Sequence, residues 1–395
     1  MTLLPESGPV FHWFLPTRGD SDTPGVIPAF GDTGDTAGAA SRRLPTLDYL
    51  TSVARAAEQA GFHSVLTPVG LGCPDPWVLC SAIAARTDRL GFIVAVRPSL
   101  ASPTLLAQQA DTFTRIHGRR LILNIVTGGD PVEQAAYGDH TDHDGRYAVT
   151  GEALQVLSPL LAGERVTVRG DHVDVRDAAL VGPTGIDVPI YFGGASPAAQ
   201  TVAAQRADTY LLWGEPPDHI AERVARPREL AAQNGRHDGR ENRRRLRFGL
   251  RIHVLSRDTA GQAWAEADRI QAGFDPAVVS GVQQRMSRMD SVGQARMAAL
   301  HGGLHGGLHG AARGGTAADL TVSPNLWAGI GLVREGVGTA LVGDHAEVAE
   351  RLEEYAGVGI DEFILSGYPH LEEALRFGDY VLPLVRAKYS QAVPV

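Results

Sequence analysis

Residues 361–385 read DEFILSGYPHLEEALRFGDYVLPLV. A short apolar run, EFIL, has strand character; SGYPH then turns the chain and carries a phenol and an imidazole; the remainder spaces its apolar side chains as a helix does. Strand, polar exit and helix make one βα unit. Outward from it the same order recurs along nearly all of the 395 residues. Strand runs at 11–16, 64–68, 91–96, 121–126, 189–193, 208–213, 246–255 and 361–366 alternate with helix-period segments. One such segment shows the apolar stripe Leu47, Leu50, Ala54 and Ala57; another shows Val348, Leu352 and Tyr355 behind an Asp344-x-x-Glu347 capping pattern. About eight units close most simply into an α/β fold, a single (β/α)8 TIM barrel over residues 1–395. The alternative, a doubly wound sheet, lacks its Gly-rich dinucleotide fingerprint.

A barrel places its chemistry on loops leaving the C-terminal strand ends. Three excursions break the alternation: 17–43 after the first strand, 164–182 with the hairpin-like VTVRGDHVDV, and 276–322 after the seventh. The third holds LHGGLHGGLHGAARGG, whose His301, His305 and His309 would share a face if helical. Each interior glycine costs about 1 kcal/mol of helix relative to alanine. With no carboxylate or cysteine in the repeat, a mobile lid near 276–322 is expected and no metal site.

Charge and cysteine content exclude several classes. The formal charge is -9 with both signs interspersed, which offers no basic stripe for nucleic acid and no polybasic membrane patch. Cys73 and Cys80 form neither a disulfide framework nor a CxxC site. No run approaches the ~20 apolar residues of a membrane span, and MTLLPESGPV lacks the form of a signal peptide. A cytoplasmic location is expected.

Polar groups gather at the strand exits. GLRIHV puts Arg251 and His253 two apart, on one face of a strand, where a paired core arginine or a ligand site fits equally. Cys73 in VGLGCPDPW reads as a small hydrophobe or a reactive thiol. NIVTGGDP aligns Asn124 with Val126 and follows them with Thr127 and two glycines that let backbone approach a ligand or simply turn. FGGASPAAQ offers Gly194, Ala195 and Ser196 at a helix N-terminus, suited to a phosphate or an ordinary N-cap. DHDGRY adds His143, Arg146 and Tyr147, and Trp213 closes the sixth strand.

With FHWFLPTRGD, NLWAGIGLVREGVGTALVGD and LSGYPHLEEA, in order and over almost the whole chain, the sequence resembles the flavin-dependent alkanesulfonate monooxygenases of the bacterial luciferase superfamily. The resemblance implies a barrel receiving reduced FMN as a diffusible co-substrate from an NAD(P)H-dependent FMN reductase. With O2, such an enzyme splits an alkanesulfonate into aldehyde and sulfite. It implies that Cys73, Trp213, Arg251, His253, Arg334, Tyr368 and His370 surround the reacting centre. Asn124 and Thr127 would then meet the flavin ring or ribityl chain, and His143, Tyr147, Gly194, Ala195 and Ser196 its phosphate. A homodimer or homotetramer is expected. Related readings are an oxygenase of another organosulfur compound or organic acid, a noncatalytic flavin-binding barrel, and a deazaflavin-dependent hydride-transfer protein. The chain departs from the family pattern at Arg18, where a histidine usually follows PT. Arg18 either reaches the pocket or pairs with Asp20 or another acid of the lengthened first loop.

Overall fold

Eight parallel strands form a closed ring: β1 (Val10–Phe14), β2 (Ser64–Thr67), β3 (Gly91–Val96) and β4 (Leu121–Ile125) are followed, past a hairpin of β5 (Val166–Arg169) and β6 (Asp174–Ala178), by β7 (Ile190–Gly193), β8 (Thr209–Trp213) and β9 (Arg247–Arg257), and three short strands later by β13 (Glu362–Ser366). β13 pairs with β1 on one side and β9 on the other, which seals the barrel. The computed structural model describes residues 8–25, 42–118, 120–181, 186–236, 245–302 and 315–391. The expected strands all form, with ends displaced by one or two residues, and the 164–182 excursion is the expected antiparallel hairpin.

Period-two alternation sorts the strand side chains. Leu66, Ile93, Ile122, Tyr191 and Ile364 form a cluster inside the ring, with Phe14 and Leu211 against it. Outward residues such as Phe11, Trp13, Leu123 and Phe363 join the helices in the main core. Helix Leu47–Ala60 illustrates why these segments are helical. The Thr46 side chain caps its start, Leu50, Val53, Ala54 and Ala57 present one buried stripe, and Gly61 at φ 86° stops it in the left-handed region that glycine tolerates.

Sequence pattern missed two features. β9 runs on past the ring and pairs with β12 (Ala340–Asp344), which carries the antiparallel ribbon β10 (Thr321–Ser323) and β11 (Leu326–Trp327). Residues 276–322 also include two helices, Pro276–Met286 and Val292–Gly302, with Val279, Val282, Met286 and Met297 buried. The glycine-histidine repeat beyond them lies outside the described residues. Among the described residues no helix is long and apolar enough to cross a membrane, and no cluster of metal-ligating side chains occurs.

Candidate functional site

Strand register brings the rim together. Arg251 lies opposite Trp213 on one side and Ile364 on the other, and His253 lies opposite Ser366. The Arg251 guanidinium carbon sits 4.5 Å from the Phe14 ring centroid, and that of Arg334 sits 5.4 Å from the same ring. Arg251 Nη1 donates to the carbonyls of Ile252 (3.2 Å) and Ile364 (3.4 Å), while Nη2 is buried without a partner. Arg334 Nη1 donates to Tyr368 Oη at 2.9 Å. Neither arginine pairs with a carboxylate among the described residues. Burial, then Arg334, push the Arg251 guanidinium well below its ordinary range, with Tyr368 opposing. A guanidinium keeps its proton regardless, so the direction records a cation whose surroundings lack an anion.

Two imidazoles flank Tyr368. His253 stacks on it at 5.5 Å and 20°, and its Nδ1 lies 2.7 Å from Ser366 Oγ. Burial, followed by Arg251 and Arg334, drives the His253 pKa well below 6.5, so the ring is neutral. His370 meets Tyr368 edge-on at 4.9 Å, and its Nδ1 lies 2.9 Å from Asp20. Cys73, half-buried after β2, stands beside Thr17 and Arg18; burial raises its pKa, so it is a thiol. Asp20 is occupied by His370 and Tyr49, and Arg18 does not pair with it. Instead the exposed Arg18 lies along Gly72, where an added Cβ would sit 3.4 Å from Nε. Trp213 is roofed by the 292–302 helix, since a Cβ at Gly293 would stand 3.2 Å from its ring. Gln294 of that helix accepts from Gly336 N–H (2.9 Å), beside the Arg334 loop.

The second set lies across the barrel mouth. Asn124 is buried and its Oδ1 has no partner. The Thr127 carbonyl accepts from Gln134 Nε2 (2.6 Å) across Gly128 at φ 83°. Gly194, at φ 142°, has Tyr147 Oη 2.8 Å from where a Cβ would stand, which leaves a small cradle. Its carbonyl accepts from Tyr210 Oη. Ser196 caps the following helix through Ala199 N–H (3.2 Å), and His143 packs 5.0 Å from the Tyr147 ring. Arg146 is committed to Asp290 at 2.7 Å. Arg296 reaches the Ala195 carbonyl at 3.5 Å and has Glu215 4.0 Å away as its carboxylate partner. Sequence reasoning missed Arg296 and Asp20, though Asp20 lies inside the quoted FHWFLPTRGD; their partners are far along the chain.

Buried polar atoms are almost always partnered. Arg251 Nη2, His253 Nε2, His370 Nε2, Asn124 Oδ1 and Gln294 Nε2 are buried exceptions on residues of this rim. A polar ligand entering the cleft would complete them. In a separate surface hollow lined by Arg257, Gln262, Glu266, Arg269 and Arg376 the arginines face carboxylates: Arg257 pairs with Glu373 (2.9 Å), Arg376 with Glu373 (3.7 Å) and Arg269 with Glu266 (2.8 Å).

Fold and site together define a (β/α)8 barrel with a cationic cleft and an adjoining backbone cradle at its C-terminal end. Residues 10–362 match the luciferase-like monooxygenase family, and the chain belongs to it. Solved structures share the fold at low identity. A riboflavin lyase determined with modified FMN and riboflavin superposes with a TM-score of 0.74 at 19% identity, covering 96% of this chain and 92% of that one. For an EDTA monooxygenase from Chelativorans sp. BNC1 the values are 0.72, 18%, 96% and 94%. For a long-chain alkane monooxygenase they are 0.69, 19%, 98% and 92%.

Proposed function

We propose that this chain is the oxygenase of a two-component system, which takes reduced FMN from a separate NAD(P)H-dependent reductase and uses O2 to cleave the C–S bond of a small sulfonate into aldehyde and sulfite. The observation that carries the reading is the pair Arg251 and Arg334 on one Phe14 ring, neither paired with a carboxylate among the described residues. Like charges held together out of water call for an anion. The named relatives act on substrates as different as EDTA and a long-chain alkane, so the substrate is argued from this chain's own side chains.

When bound, the flavin would supply oxygen activation. The Gly194–Ser196 turn would take its phosphate, with Tyr147 packed on the glycine and Arg296 at the Ala195 carbonyl. Asn124 Oδ1 and the Thr127 backbone would face the ring and ribityl side. Arg251 Nη2 and the Arg334 fork would hold sulfonate oxygens through charge-assisted bonds, strengthened as the 292–302 helix and the Arg334 loop exclude water. Tyr368 Oη accepts from Arg334 and keeps its O–H to donate toward a developing oxyanion. The Cys73 thiol can donate similarly.

With a flavin reductase, NADH, oxygen and a panel of sulfonates, the protein should release sulfite in proportion to substrate consumed; no sulfite from any panel member would sink the reading. The exposed guanidinium of Arg18 beside Cys73 favours a second substrate class, organic acids with a further anionic group. Such acids would raise oxygen consumption coupled to product without sulfite.

Gly194→Ala tests the phosphate cradle. The new methyl would fall 2.8 Å from both Tyr147 Oη and Ala199 Cβ at a φ of 142°. Strain of this kind costs about 1–3 kcal/mol, and flavin affinity measured by fluorescence quenching should fall at least about tenfold. Unchanged affinity in a folded variant would place the phosphate elsewhere.

A further inference from the structure

We propose that Asp20 is the positioning residue for His370, holding its Nδ1–H so that Nε2 is the nitrogen presented to the cleft. Asp20 is fully buried and receives four contacts: Ser21 N–H (2.9 Å), Tyr49 Oη, His370 N–H (2.7 Å) and His370 Nδ1 (2.9 Å). Two are backbone N–H groups, which only donate. Burial raises the Asp20 pKa, but His370 and Tyr49 outweigh it and hold it below 3.8, so the carboxylate is ionised. An ionised carboxylate accepts only. Nδ1 must therefore carry the hydrogen, and the neutral ring keeps its lone pair on Nε2.

That nitrogen is buried without a partner, on a ring flanked by Tyr368, Phe14 (6.2 Å between centroids) and Trp13 (6.5 Å). The other imidazole at the rim differs. His253 Nδ1 faces a serine hydroxyl, which accepts or donates, the Val337 backbone also contacts the ring, and its charged neighbours Arg251 and Arg334 oppose protonation; no carboxylate pairs with it among the described residues. Of the two imidazoles that flank Tyr368, His370 is the one with a carboxylate behind it. The other ionisable groups around it include His253, Tyr368, which carries Arg334 on its oxygen, and Glu373 of its own helix, which burial raises to about 7 and which pairs with Arg257. A proton leaving a ligand hydroxyl or the Tyr368 phenol would enter at Nε2, give an imidazolium facing Asp20, and return from the same atom. Asp20 stays unprotonated throughout.

The inference rests on the oxygenase reading for its kinetics, whereas its tautomer is read without turnover. In the full chain labelled with 15N-histidine, two-bond 1H–15N spectra at a pH where the ring is neutral should show His370 as the Nδ1–H form, the resonance being assigned by its loss in His370→Gln. Asp20→Asn should shift it toward the Nε2–H form and lower kcat/KM for sulfite release on the order of 100-fold. Tyr49→Phe removes one hydrogen bond and keeps the carboxylate; the tautomer should stay as in the wild type. An Nε2–H wild-type ring, or equal responses from Asp20→Asn and Tyr49→Phe, overturns the assignment. Should Asp20→Asn fail to fold, the wild-type spectrum decides. Should sulfite never form while the Nδ1–H tautomer is present and lost in Asp20→Asn, the function fails and the positioning role stands.

Discussion

Arg334→Ala should reduce sulfite release on the order of 100- to 1,000-fold, the effect of removing one preorganised donor from a transition-state site, while leaving the melting temperature and flavin affinity nearly unchanged. The contrast follows from what Arg334 touches. Its described contacts are the Tyr368 hydroxyl, the Glu335 carbonyl and the face of Phe14, none of them a buried anion that would be left stranded. Removing it also relieves the repulsion on Arg251, since after burial the Arg334 charge is what most opposes the Arg251 cation. Arg334→Lys should fall between, since an ammonium supplies charge without the planar fork. Steady-state sulfite assays beside thermal melts read both quantities. A drop of many degrees in the alanine variant would make Arg334 structural and remove the main support for an anionic substrate.

Legibility in the sequence followed locality. Runs such as LILNIV and GFIVAV need only their own residues to be recognised as strands, and the eight of them found their places. β12 hid because ALV in GTALVGD is short and bracketed by glycines; what makes it a strand is its pairing with the far half of β9, His253–Arg257, which lies outside the local pattern. The helix Pro276–Met286 buries Val279, Val282 and Met286 at helical spacing, a signal overshadowed by the glycine repeat that follows. At the rim, Arg251 and His253 stood out because two polar residues in an apolar strand are conspicuous in one dimension. Phe14, the ring under both arginines, reads as one more apolar strand residue. Asp20 and His370, 350 positions apart, meet only because closure brings β13 beside β1.

Closure also creates a polar cluster lower inside the barrel, and there the largest stability effect is expected. Glu362 is fully buried at the start of β13 and accepts from Arg247 Nε (2.7 Å), Thr209 Oγ1 (3.1 Å) and the Tyr191 hydroxyl, with His12 Nε2 at 3.3 Å. Burial alone would raise its pKa, yet His12 first and then Arg247 and Tyr191 hold it at about 2, below the ordinary 4.5. The folded state thus binds this proton less readily than the unfolded chain. Its stabilisation is complete above pH 4.5 and is lost as the pH falls toward 2, a loss on the order of 3 kcal/mol. Glu362→Gln replaces an acceptor with an amide whose N–H groups face other donors and leaves Arg247 without its anion, so about 3–5 kcal/mol of stability should disappear at neutral pH. Urea unfolding at pH 7 and at pH 3 separates this from generic acid sensitivity: the wild type should weaken between the two by about 2 kcal/mol more than the variant does, the part of the acid-linked loss that falls above pH 3. Parallel losses in both proteins would mean that Glu362 is already protonated in the native barrel and that the anion holding these strands lies elsewhere. FMN affinity should survive in whatever fraction of the variant folds, because Glu362 precedes Ile364 and Ser366 on β13 and faces the ring interior below the rim that Arg251 and His253 occupy.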